Sequence, residues 1–492
     1  MTDSSDILQF VLDDCIVAID FSQQKDIRPS TTVLKYLRSL ESHKGVKEGC
    51  GEGDCGACTV VVAETGNDGR LKYKAINSCL LFLPVLHGKQ LITVENLALK
   101  KNGEKILHPV QQALVEMGGS QCGYCTPGIV MSMFALYKNN INPSLETIQD
   151  ALTGNLCRCT GYQSVIDASI KACAAGNDDH FSENEHHVIS LLHRINSSSQ
   201  SLCFRSPEQR YYKPSTVNDI FDIIEKDSSV ILVNGATDIA VRQTKKHEFF
   251  KCIIDISGVH ELCVYKESNG VLIFGAGVSM EVVRGKVKDI IPAFYDLLDS
   301  FASLQIRNVA TLGGNIGSAS PIGDTIPLLF ALKAEIMIKS REGLRTLPVE
   351  EFIMGYRKTA LLQGEIIYQI IIPVPPKVVE LKSYKVSKRR TLDISTVSGA
   401  FRLETDINAI VTSIILAFGG VAPVTMRALK TEKFLYGKTW DENTIEKASS
   451  VLYEEFTPIS DARGGDEFRR VVTANLLLKF YQQTKKNIFV NS

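Results

Sequence analysis

The sequence predicts a multidomain protein of the α+β class, and three observations lead to this fold class. The chain has 492 residues, whereas an ordinary domain has about 100–200. Before about residue 94, short β-branched runs surround one helical segment, and from about residue 107 apolar residues repeat at helical spacing. After Tyr212, helical and strand patterns alternate. These changes predict domains at 1–94, 95–175, 206–382 and 383–492, with a polar linker at 176–205.

The composition excludes several classes of protein. Hydrophobic residues make up 44% of the chain, charged residues 22%, and the formal net charge is −1. No block of like charges is long enough for a nucleic-acid-binding arm. The N-terminus is acidic, unlike a signal peptide, and the longest apolar run, Cys79–Leu86, is far shorter than the ~18 residues that span a bilayer. We therefore expect a cytoplasmic protein without nucleic-acid or membrane partners.

The first predicted domain combines strands with one helix. Residues 8–20 mix apolar and acidic residues, as expected of a hairpin. Ser30–Thr32 provide an N-cap signal before a helix over Val33–Leu40, and Thr59–Ala63 is a β-branched strand. The order strand, strand, helix, loop, strand is that of a small ferredoxin-like domain.

Three thiols lie within the loop Cys50–Cys58, and a fourth follows at Cys79. The spacing C-x4-C-x2-C with a distant fourth cysteine is the one by which plant-type ferredoxins bind a [2Fe–2S] cluster. Zinc is the alternative, although zinc sites usually present pairs of cysteines two to four residues apart. Three unrelated buried thiols are a weaker alternative than either.

The helical segment carries a second group of thiols. Helices are predicted at 109–117, 127–137, 145–152 and 165–175. The pairs Cys122/Cys125 and Cys157/Cys159 lie at helix ends, so antiparallel packing would bring the four sulfurs together. Neighbouring helix N-termini would favour a bound anionic group. By itself this group fits an iron–sulfur cluster, zinc or a redox dithiol.

Other cysteines and histidines are predicted to have no metal-binding role. Five single cysteines are expected to be small, buried apolar residues: Cys15, Cys173, Cys203, Cys252 and Cys263. Four histidines of the predicted linker share no helical face and have no carboxylate partners, so a solvated surface is favoured over a metal site. They are His180, His186, His187 and His193.

Two turns rich in small residues mark the second half. The strand Val230–Val233 runs into Asn234–Asp238, and Thr311–Ile316 follows a helical stretch over Phe294–Ile306. Such a turn lets backbone N–H groups approach a phosphate, although a plain tight turn is commoner. Together, and with Asp324 as an acceptor for a ribose or ribityl hydroxyl, the two turns fit the ends of a pyrophosphate. No G-x-G-x-x-G follows a strand, so a Rossmann site is not predicted.

The sequence motifs around both thiol groups resemble those of the molybdenum hydroxylases, the xanthine dehydrogenase and aldehyde oxidase family. They are Lys47–Cys50 (KEGC), Gln121–Gly128 (QCGYCTPG) and Gly154–Tyr162 (GNLCRCTGY). The resemblance implies two [2Fe–2S] clusters. The cluster nearer the flavin would bind to Cys50, Cys55, Cys58 and Cys79, and the cluster nearer the molybdopterin to Cys122, Cys125, Cys157 and Cys159. Gln121 would contact the pterin, which is housed elsewhere.

The second half resembles the FAD-binding part of the same family. The resemblance implies a plant-ferredoxin-like β-grasp domain, a four-helix cluster domain, a two-part α+β FAD-binding domain and a small α+β C-terminal domain. The implied FAD contacts are Val233, Asn234, Gly235, Ala236, Thr237, Asp238, Ile239, Phe301, Thr311, Leu312, Gly313, Gly314, Asn315, Asp324, Ile367 and Lys385. Tyr356–Thr359 match a stretch near the electron acceptor. Many members carry acidic residues after an arginine pair, whereas here Thr391 and Leu392 follow, with only Asp393 kept.

The resemblance stops where the family's molybdenum-binding domain would begin, which implies a separate large subunit with molybdopterin. It is closest to the small subunit of two-chain members that act on purines. The implied function is to pass electrons from xanthine or hypoxanthine hydroxylation on the partner through both clusters to FAD and then NAD, in an assembly of two small and two large chains. No side chain of this chain would be a catalytic acid, base or nucleophile.

Three alternatives stay open. The first is the same role in a hydroxylase for another heterocycle, an aldehyde or an aromatic thioester. The second is an NADH-linked reductase module that serves some other partner. The third is a zinc-binding structural protein, which would be colourless.

Overall fold

The computed structural model describes residues 6–101, 103–174, 176–196 and 200–490, and within them the chain forms two compact units. The first unit runs to His260 and includes Ser303–Ala310, and the second comprises Glu261–Ala302 and the chain from Thr311. Both units mix helices and sheets, which confirms the predicted α+β class. The predicted domain boundaries stay predictions. Ala175, the predicted end of the fourth helix, and Ser197–Ser199 of the predicted linker lie outside the described residues.

A five-stranded sheet of order β2-β1-β5-β3-β4 opens the first unit. Its elements are β1 (Leu8–Leu12), β2 (Cys15–Ile19), α1 (Val33–Ser39), β3 (Thr59–Thr65), β4 (Leu71–Asn77) and β5 (Gln90–Ile92). β1 and β2 form the predicted hairpin. The Thr32 side chain accepts a hydrogen bond from the Lys35 N–H, so the predicted N-cap begins α1.

Helices cover one face of this sheet. After the hairpin β6 (Leu99–Lys101) and β7 (Glu104–Ile106) come α2 (Pro109–Glu116), α3 (Thr126–Asn139), α4 (Leu145–Leu152) and α5 (Gln163–Ala174), so all four predicted helices are present. Their apolar faces share one core with Val61, Ala63 and Tyr73 of the sheet. This shared core places the second group of thiols near the first.

The segment predicted as a polar linker contains α6 (His180–Glu183) and α7 (Glu185–Ile195). Phe181, Val188 and Leu192 are buried in the helical core. The Asp179 carboxylate, which is 2% exposed, lies 2.8 Å from His108 Nε2 and 2.7 Å from Lys138 Nζ. The segment is therefore packed onto the helices, which its few and interrupted apolar residues did not indicate.

A four-stranded sheet of order β10-β11-β9-β8 completes the first unit. Its elements are β8 (Leu202–Arg205), β9 (Arg210–Lys213), α8 (Val217–Lys226), β10 (Ile231–Val233), α9 (Ile239–Lys246) and β11 (Cys252–Asp255). Phe204, Tyr211 and Ile253 share a core with Phe10 and Phe82 of the first sheet domain. The start of the predicted FAD domain is thus packed against the ferredoxin-like part.

The second unit contains a five-stranded antiparallel sheet, a short hairpin and a four-stranded antiparallel sheet, of orders β12-β13-β18-β14-β15, β16-β17 and β19-β20-β21-β22. Its first elements are β12 (Tyr265–Ser268), β13 (Val271–Gly275), α10 (Met280–Val287) and α11 (Pro292–Asp299). After α12 (Leu304–Arg307), which belongs to the first unit, come α13 (Leu312–Gly317), α14 (Thr325–Ala331), β14 (Glu335–Lys339), β15 (Leu344–Pro348), α15 (Val349–Phe352), β16 (Ile353–Gly355), β17 (Lys358–Thr359) and β18 (Ile366–Pro373).

The remaining elements of the second unit are β19 (Glu380–Val386), β20 (Val397–Thr405), β21 (Val411–Gly419), β22 (Met426–Arg427), α16 (Leu429–Leu435), α17 (Glu442–Tyr453) and α18 (Asp466–Val490). Trp440 is fully buried among Phe480, Tyr481 and the sheet. Among the residues that the structure describes, no helix has both the length and the apolar character needed to cross a membrane.

Two local predictions differ from the structure. The helical stretch over 294–306 is interrupted: α11 ends at Asp299, Ala302 has a φ of 50°, and Ser303 caps the separate helix α12. Cys173, Cys203 and Cys252 are buried as predicted, but the prediction was wrong for Cys15 and Cys263, which are exposed. Cys15 begins β2, the edge strand of its sheet, where one face is open to solvent.

Candidate iron–sulfur and flavin sites

The first group of predicted ligands comes together in one loop beside β4. Cys55 Sγ accepts a hydrogen bond from the Cys50 N–H at 3.3 Å. Cys50 Sγ accepts from the N–H groups of Glu52 and Asp54 at 3.4 and 3.2 Å. Cys58 and Cys79 are hydrogen-bonded to each other through their sulfurs. We refer to these four thiols, Cys50, Cys55, Cys58 and Cys79, as the first quartet.

Glycines let the backbone wrap around the first quartet. Gly53 and Gly56 have φ values of 87° and 67°, in the left-handed region that favours glycine. A Cβ on Gly53 would lie 2.7 Å from Leu80 Cδ1, and one on Gly56 would lie 2.2 Å from the Gly154 carbonyl oxygen. The loop therefore needs glycine for its conformation and for close packing.

The surroundings of the first quartet favour a thiolate at Cys50. The Cys55 thiol and the N–H groups of Glu52, Cys55 and Asp54 lower the pKa of Cys50 to about 5, although burial raises it. A thiolate is the form that binds metal. Hydrogen bonds to cluster sulfurs and solvent exposure also set the potential of an iron–sulfur centre. The loop thus carries both the predicted ligands and the N–H groups that would tune a bound cluster.

The second group, Cys122, Cys125, Cys157 and Cys159, forms a second quartet at helix ends. Cys122 and Cys159 are exposed, with their sulfurs 3.7 Å apart, whereas Cys125 and Cys157 are half-buried and hydrogen-bonded to each other. Burial raises the pKa of Cys157, but the Thr160 hydroxyl, 3.3 Å from the sulfur, and nearby N–H groups outweigh it and lower the pKa to about 7.

The sulfurs of each quartet lie in two pairs. The pairs are Cys50/Cys55 and Cys58/Cys79 in the first quartet, and Cys122/Cys159 and Cys125/Cys157 in the second. A metal–sulfur bond of about 2.3 Å gives a tetrahedral S–S edge of about 3.8 Å, which the pair Cys122/Cys159 matches at 3.7 Å. This spacing suits a tetrahedral iron or zinc ion, and two pairs suit the two irons of a [2Fe–2S] cluster.

The two quartets are joined by direct contacts between their loops. The Leu156 N–H donates to the Cys55 carbonyl at 3.0 Å. Asn155 Nδ2 donates to the Gly56 carbonyl at 3.1 Å and to Thr59 Oγ1 at 3.2 Å. These contacts span about 100 residues of sequence, and the ligand spacing gave no indication of them.

Gln121 lies beside the exposed edge of the second quartet. Its Nε2 donates to the Cys159 carbonyl at 3.2 Å, and its side chain is exposed. Tyr124, 48% exposed, donates from its hydroxyl to the Glu48 carbonyl at 2.6 Å. The predicted pterin contact is thus at the surface, where a group on another chain can reach it.

The first predicted flavin turn, Val233–Ile239, connects β10 to α9. Gly235 has a φ of 68°, and a Cβ there would lie 1.8 Å from the Val309 carbonyl oxygen. Asn234 Nδ2 is buried and has no hydrogen-bond partner among the described residues. A buried amide donor without a partner costs free energy, and a bound phosphate or ribityl oxygen would satisfy it. The turn therefore fits FAD.

The second predicted turn, Thr311–Asn315, begins α13 in the second unit. Thr311 Oγ1 accepts from the Gly314 N–H at 3.1 Å, and Asn315 Oδ1 accepts from Thr325 Oγ1 at 2.6 Å. A Cβ on Gly313 would lie 2.6 Å from the Ala276 carbonyl oxygen, so the backbone approaches β13 closely. Ile367 lies opposite Gly317 of the same helix. Ile367 thus lies beside α13, the helix that this turn begins, and its contact with FAD stays a prediction.

Asp324 and Lys385 form a buried ion pair in the second unit. Lys385 Nζ lies 3.1 Å from Asp324 Oδ2, with side chains 5% and 6% exposed, and donates to the Ser300 carbonyl at 3.0 Å. Phe301 follows Ser300 directly. Ser395 Oγ donates to Asp324 Oδ1 at 2.6 Å. The structure thus gathers Phe301, Asp324 and Lys385, and adds Ser395, which sequence reasoning missed because a lone serine carries no pattern.

The predicted acceptor loop contains an internal ion pair between Arg389 and Asp393. Arg389 donates to Asp393 from its backbone N–H at 2.9 Å and from Nε at 2.7 Å. The Arg389 guanidinium holds the pKa of the Asp393 carboxyl below its usual range. Tyr356, between β16 and β17, is 64% exposed. The one retained acidic residue of the loop is therefore paired within the loop.

Four protein families match successive parts of the chain. Residues 20–83 match the 2Fe-2S iron-sulfur cluster binding domain and residues 93–170 the [2Fe-2S] binding domain. Residues 204–375 match the FAD binding domain in molybdopterin dehydrogenase, and residues 382–484 the CO dehydrogenase flavoprotein C-terminal domain. Two [2Fe–2S] domains and an FAD domain are therefore present, which confirms the predicted cofactors.

Curated relatives are xanthine dehydrogenases. The chain is 31% identical to xanthine dehydrogenase/oxidase of Gallus gallus over 93% of its length, and 31% identical to xanthine dehydrogenase of Emericella nidulans over 99%. It spans only 39% of each relative.

Solved structures share part of the fold. Quinoline 2-oxidoreductase from Pseudomonas putida 86 matches 56% of this chain and 96% of its own, with a TM-score of 0.51 and 25% identity. Carbon monoxide dehydrogenase from Hydrogenophaga pseudoflava matches the same shares with a TM-score of 0.53 and 23% identity, which supports the fold alone.

Proposed function

This chain belongs to the molybdenum hydroxylase family as its iron–sulfur and FAD part, and from that premise we propose that it is the small subunit of a xanthine dehydrogenase. Its role is to carry electrons from a molybdopterin-binding large subunit, where xanthine or hypoxanthine is hydroxylated, to FAD and then NAD. The observation that carries the proposal is the pair of cysteine quartets, joined through Asn155 and Leu156 in one compact unit. The similarity to xanthine dehydrogenases along the chain supports the substrate class.

The residues around the first quartet would hold and shield a cluster. When bound, the clusters transfer single electrons and FAD collects two of them for delivery as hydride. Cys58 and Cys79 are 2% and 1% exposed, so the protein excludes water from that side. The N–H groups of Glu52 and Asp54 donate to Cys50 Sγ and would tune the potential.

Each unit carries residues that are proposed to bind FAD. Asn234 Nδ2 and the turn after β10 suit a phosphate oxygen. Asp324, held by Lys385 and Ser395, suits a hydroxyl donor. The proposed role of these residues is to bind and orient the flavin, and the proposal gives none of them an acid or base role.

The partner would cover the exposed edge of the second quartet. Cys122, Cys159 and Gln121 are exposed there, where a group on another chain can reach them. The proposed large chain would bind at this edge, in an assembly of two small and two large chains. All thirteen cysteines are free, which fits a reducing compartment and a cytoplasmic location.

The acceptor is proposed to be NAD. Tyr356 and Arg357, on the β16–β17 hairpin, carry an exposed aromatic ring and a cation suited to a nucleotide. The Arg389–Asp393 pair holds the neighbouring predicted loop in shape.

The test uses the purified full chain, alone and with a candidate molybdopterin-binding large subunit. We expect about four irons and one FAD per chain, dye reduction with NADH by the chain alone, and xanthine oxidation only with the large subunit. A colourless, iron-free preparation from iron-replete anaerobic cells contradicts the proposal.

A related hydroxylase for another heterocycle is the second candidate, favoured by the 25% identity to quinoline 2-oxidoreductase. Aldehydes and aromatic thioesters are further substrates to include. Activity of the two-chain assembly with one of these and not with xanthine would select this candidate. NADH-dependent dye reduction without any activity in the presence of the large subunit would select a stand-alone reductase.

A further inference from the structure

The segment Ser303–Ala310 contacts three predicted cofactor-binding elements of the first unit. A Cβ on Gly53, within the first quartet's loop, would lie 2.9 Å from Ile306 Cδ1. A Cβ on Gly235, in the first flavin turn, would lie 1.8 Å from the Val309 carbonyl oxygen. Gln305 reaches the loop of the second quartet, as described next. Eight consecutive residues thus touch all three elements.

Gln305 is fully buried and donates hydrogen bonds to the helical part of the unit. Its Nε2 lies 2.8 Å from Ser132 Oγ, 3.0 Å from the Ala151 carbonyl and 3.2 Å from Asn155 Oδ1. A Cβ on Gly154 would lie only 2.1 Å from Gln305 Oε1. The amide is therefore packed tightly against Gly154 and Asn155, just ahead of Cys157.

Asn155 links Gln305 to the loop of the first quartet. Its Oδ1 accepts from Gln305 and, at 2.6 Å, from Ser132 Oγ. Its Nδ2 donates to the carbonyl of Gly56, the residue after Cys55. Both ends of the Asn155 amide are thus occupied, so its orientation depends on the donors Gln305 and Ser132. Without the Gln305 donor, Asn155 Oδ1 keeps one hydrogen bond instead of two.

We propose that Gln305 is a positioning residue for both quartets, acting through Asn155, which it orients between the two ligand loops. The inference rests on the proposed binding of clusters by the eight cysteines. Gln305 touches no ligand sulfur in the contacts described. Its effect is to hold the backbone around Gly56 and Leu156, whose neighbours Cys55 and Cys157 are predicted ligands. Changes in that backbone alter the hydrogen bonds and solvent exposure that set cluster potentials.

The test substitutes Gln305→Met in the full chain, which keeps the side-chain length and removes the amide donor. We expect wild-type iron and FAD content, but shifted electron paramagnetic resonance signals and midpoint potentials for both clusters. Asn308→Ala is the matched control, because Asn308 lies in the same segment but donates at 2.9 Å to the Ala75 carbonyl of β4 and not to Asn155. That control should leave both signals unchanged.

A second variant keeps the test decisive if Gln305→Met does not fold. Ser132→Ala removes the other donor to Asn155 Oδ1 and should shift the same two signals in the same direction. Unshifted signals in a folded, iron-replete Gln305→Met protein, or equal shifts in Asn308→Ala, overturn the inference. An iron-free wild-type chain would instead overturn the ligand assignment, so the two failures are distinguishable.

Discussion

The two cysteine quartets differ in how completely this chain encloses them. In the first, Cys58 and Cys79 are 2% and 1% exposed, whereas in the second Cys122 and Cys159 are exposed. The first loop is held by Asn77, which donates to the Gly53 carbonyl at 2.7 Å, and by Ile306. The second loop is held through Asn155 and through the Leu156 N–H, which donates to the Cys55 carbonyl at 3.0 Å. The difference indicates that this chain buries half of the first quartet and leaves two sulfurs of the second at its surface.

The largest effect that distinguishes the two quartets is expected when one predicted ligand is removed from each. Cys58→Ser and Cys159→Ser should each lose about two irons and one cluster signal by electron paramagnetic resonance, since each quartet is proposed to bind its own [2Fe–2S] centre. Cys58→Ser should also lower the yield of folded protein, because its sulfur is part of a core. The control Cys173→Ser, at a buried cysteine outside the quartets, should keep all iron. Loss of both signals in either ligand variant would contradict two separate sites.

The enclosure of the first site depends on how firmly Ser303–Ala310 is attached. Arg307 is fully buried and Nη2 lies 2.6 and 2.8 Å from the Asp150 carboxylate oxygens. Arg307→Met leaves that carboxylate without its main partner and should cost about 3–5 kcal/mol of unfolding free energy in urea. Arg70→Met, which removes the 72% exposed partner of Glu185, should cost less than about 1 kcal/mol. Similar costs for both would mean that the segment is only loosely attached.

Contact between the two loops is tested at Gly56. Gly56→Ala and Gly69→Ala both place a side chain at positive φ, 67° and 74°, at about 1–2 kcal/mol each. At Gly56 the new Cβ would also meet the Gly154 carbonyl at 2.2 Å, whereas at Gly69 no atom lies within 4 Å. Thermal unfolding should therefore show at least about 1 kcal/mol more destabilisation for Gly56→Ala, together with altered signals of both clusters. Equal destabilisation would argue against close contact of the loops.

The helices that carry the second quartet are packed around the buried Asp179 carboxylate. The unfolding free energy should therefore depend on this carboxylate and decrease in acid. Burial raises the pKa of Asp179, but hydrogen bonds from His108 and Lys138 outweigh it and hold this pKa well below its usual range. A lowered carboxyl pKa gives stability that is present above about pH 4 and lost as the pH falls further. The difference in unfolding free energy between wild type and Asp179→Asn should narrow by about 1 kcal/mol from pH 6 to pH 3.

The matched control for the acid experiment is Asp68→Asn. Asp68 pairs with Lys72 at 2.6 Å, but both side chains are about half exposed. Water screens such a pair. The difference in unfolding free energy between wild type and Asp68→Asn should therefore not change measurably with pH. Narrowing of the same size in both variants would mean that general charge repulsion, and not the buried Asp179 network, causes the effect.

Local patterns in the sequence were sufficient for the fold class, the secondary structure around each quartet and the predicted cofactors. Cys50, Cys55 and Cys58 are close in sequence, and short-range spacing and glycine-rich turns determine such a loop almost independently of the rest of the chain. The N-cap at Thr32 and the four helices after residue 107 follow in the same way from adjacent residues.

Contacts between distant residues were decided only by tertiary packing. Gln305, Asn155 and Gly56 are bonded across gaps of 150 and 99 residues, and the Asp179 network joins the predicted linker to α3 across 41. A single buried amide or carboxylate carries no periodic signal, because its partner is selected by which elements share a core and not by its neighbours in the chain. Exposure follows the same rule: the cysteines of both quartets look alike in sequence, and only tertiary packing buries Cys58 and Cys79 in the core that also contains Phe10 and Phe82.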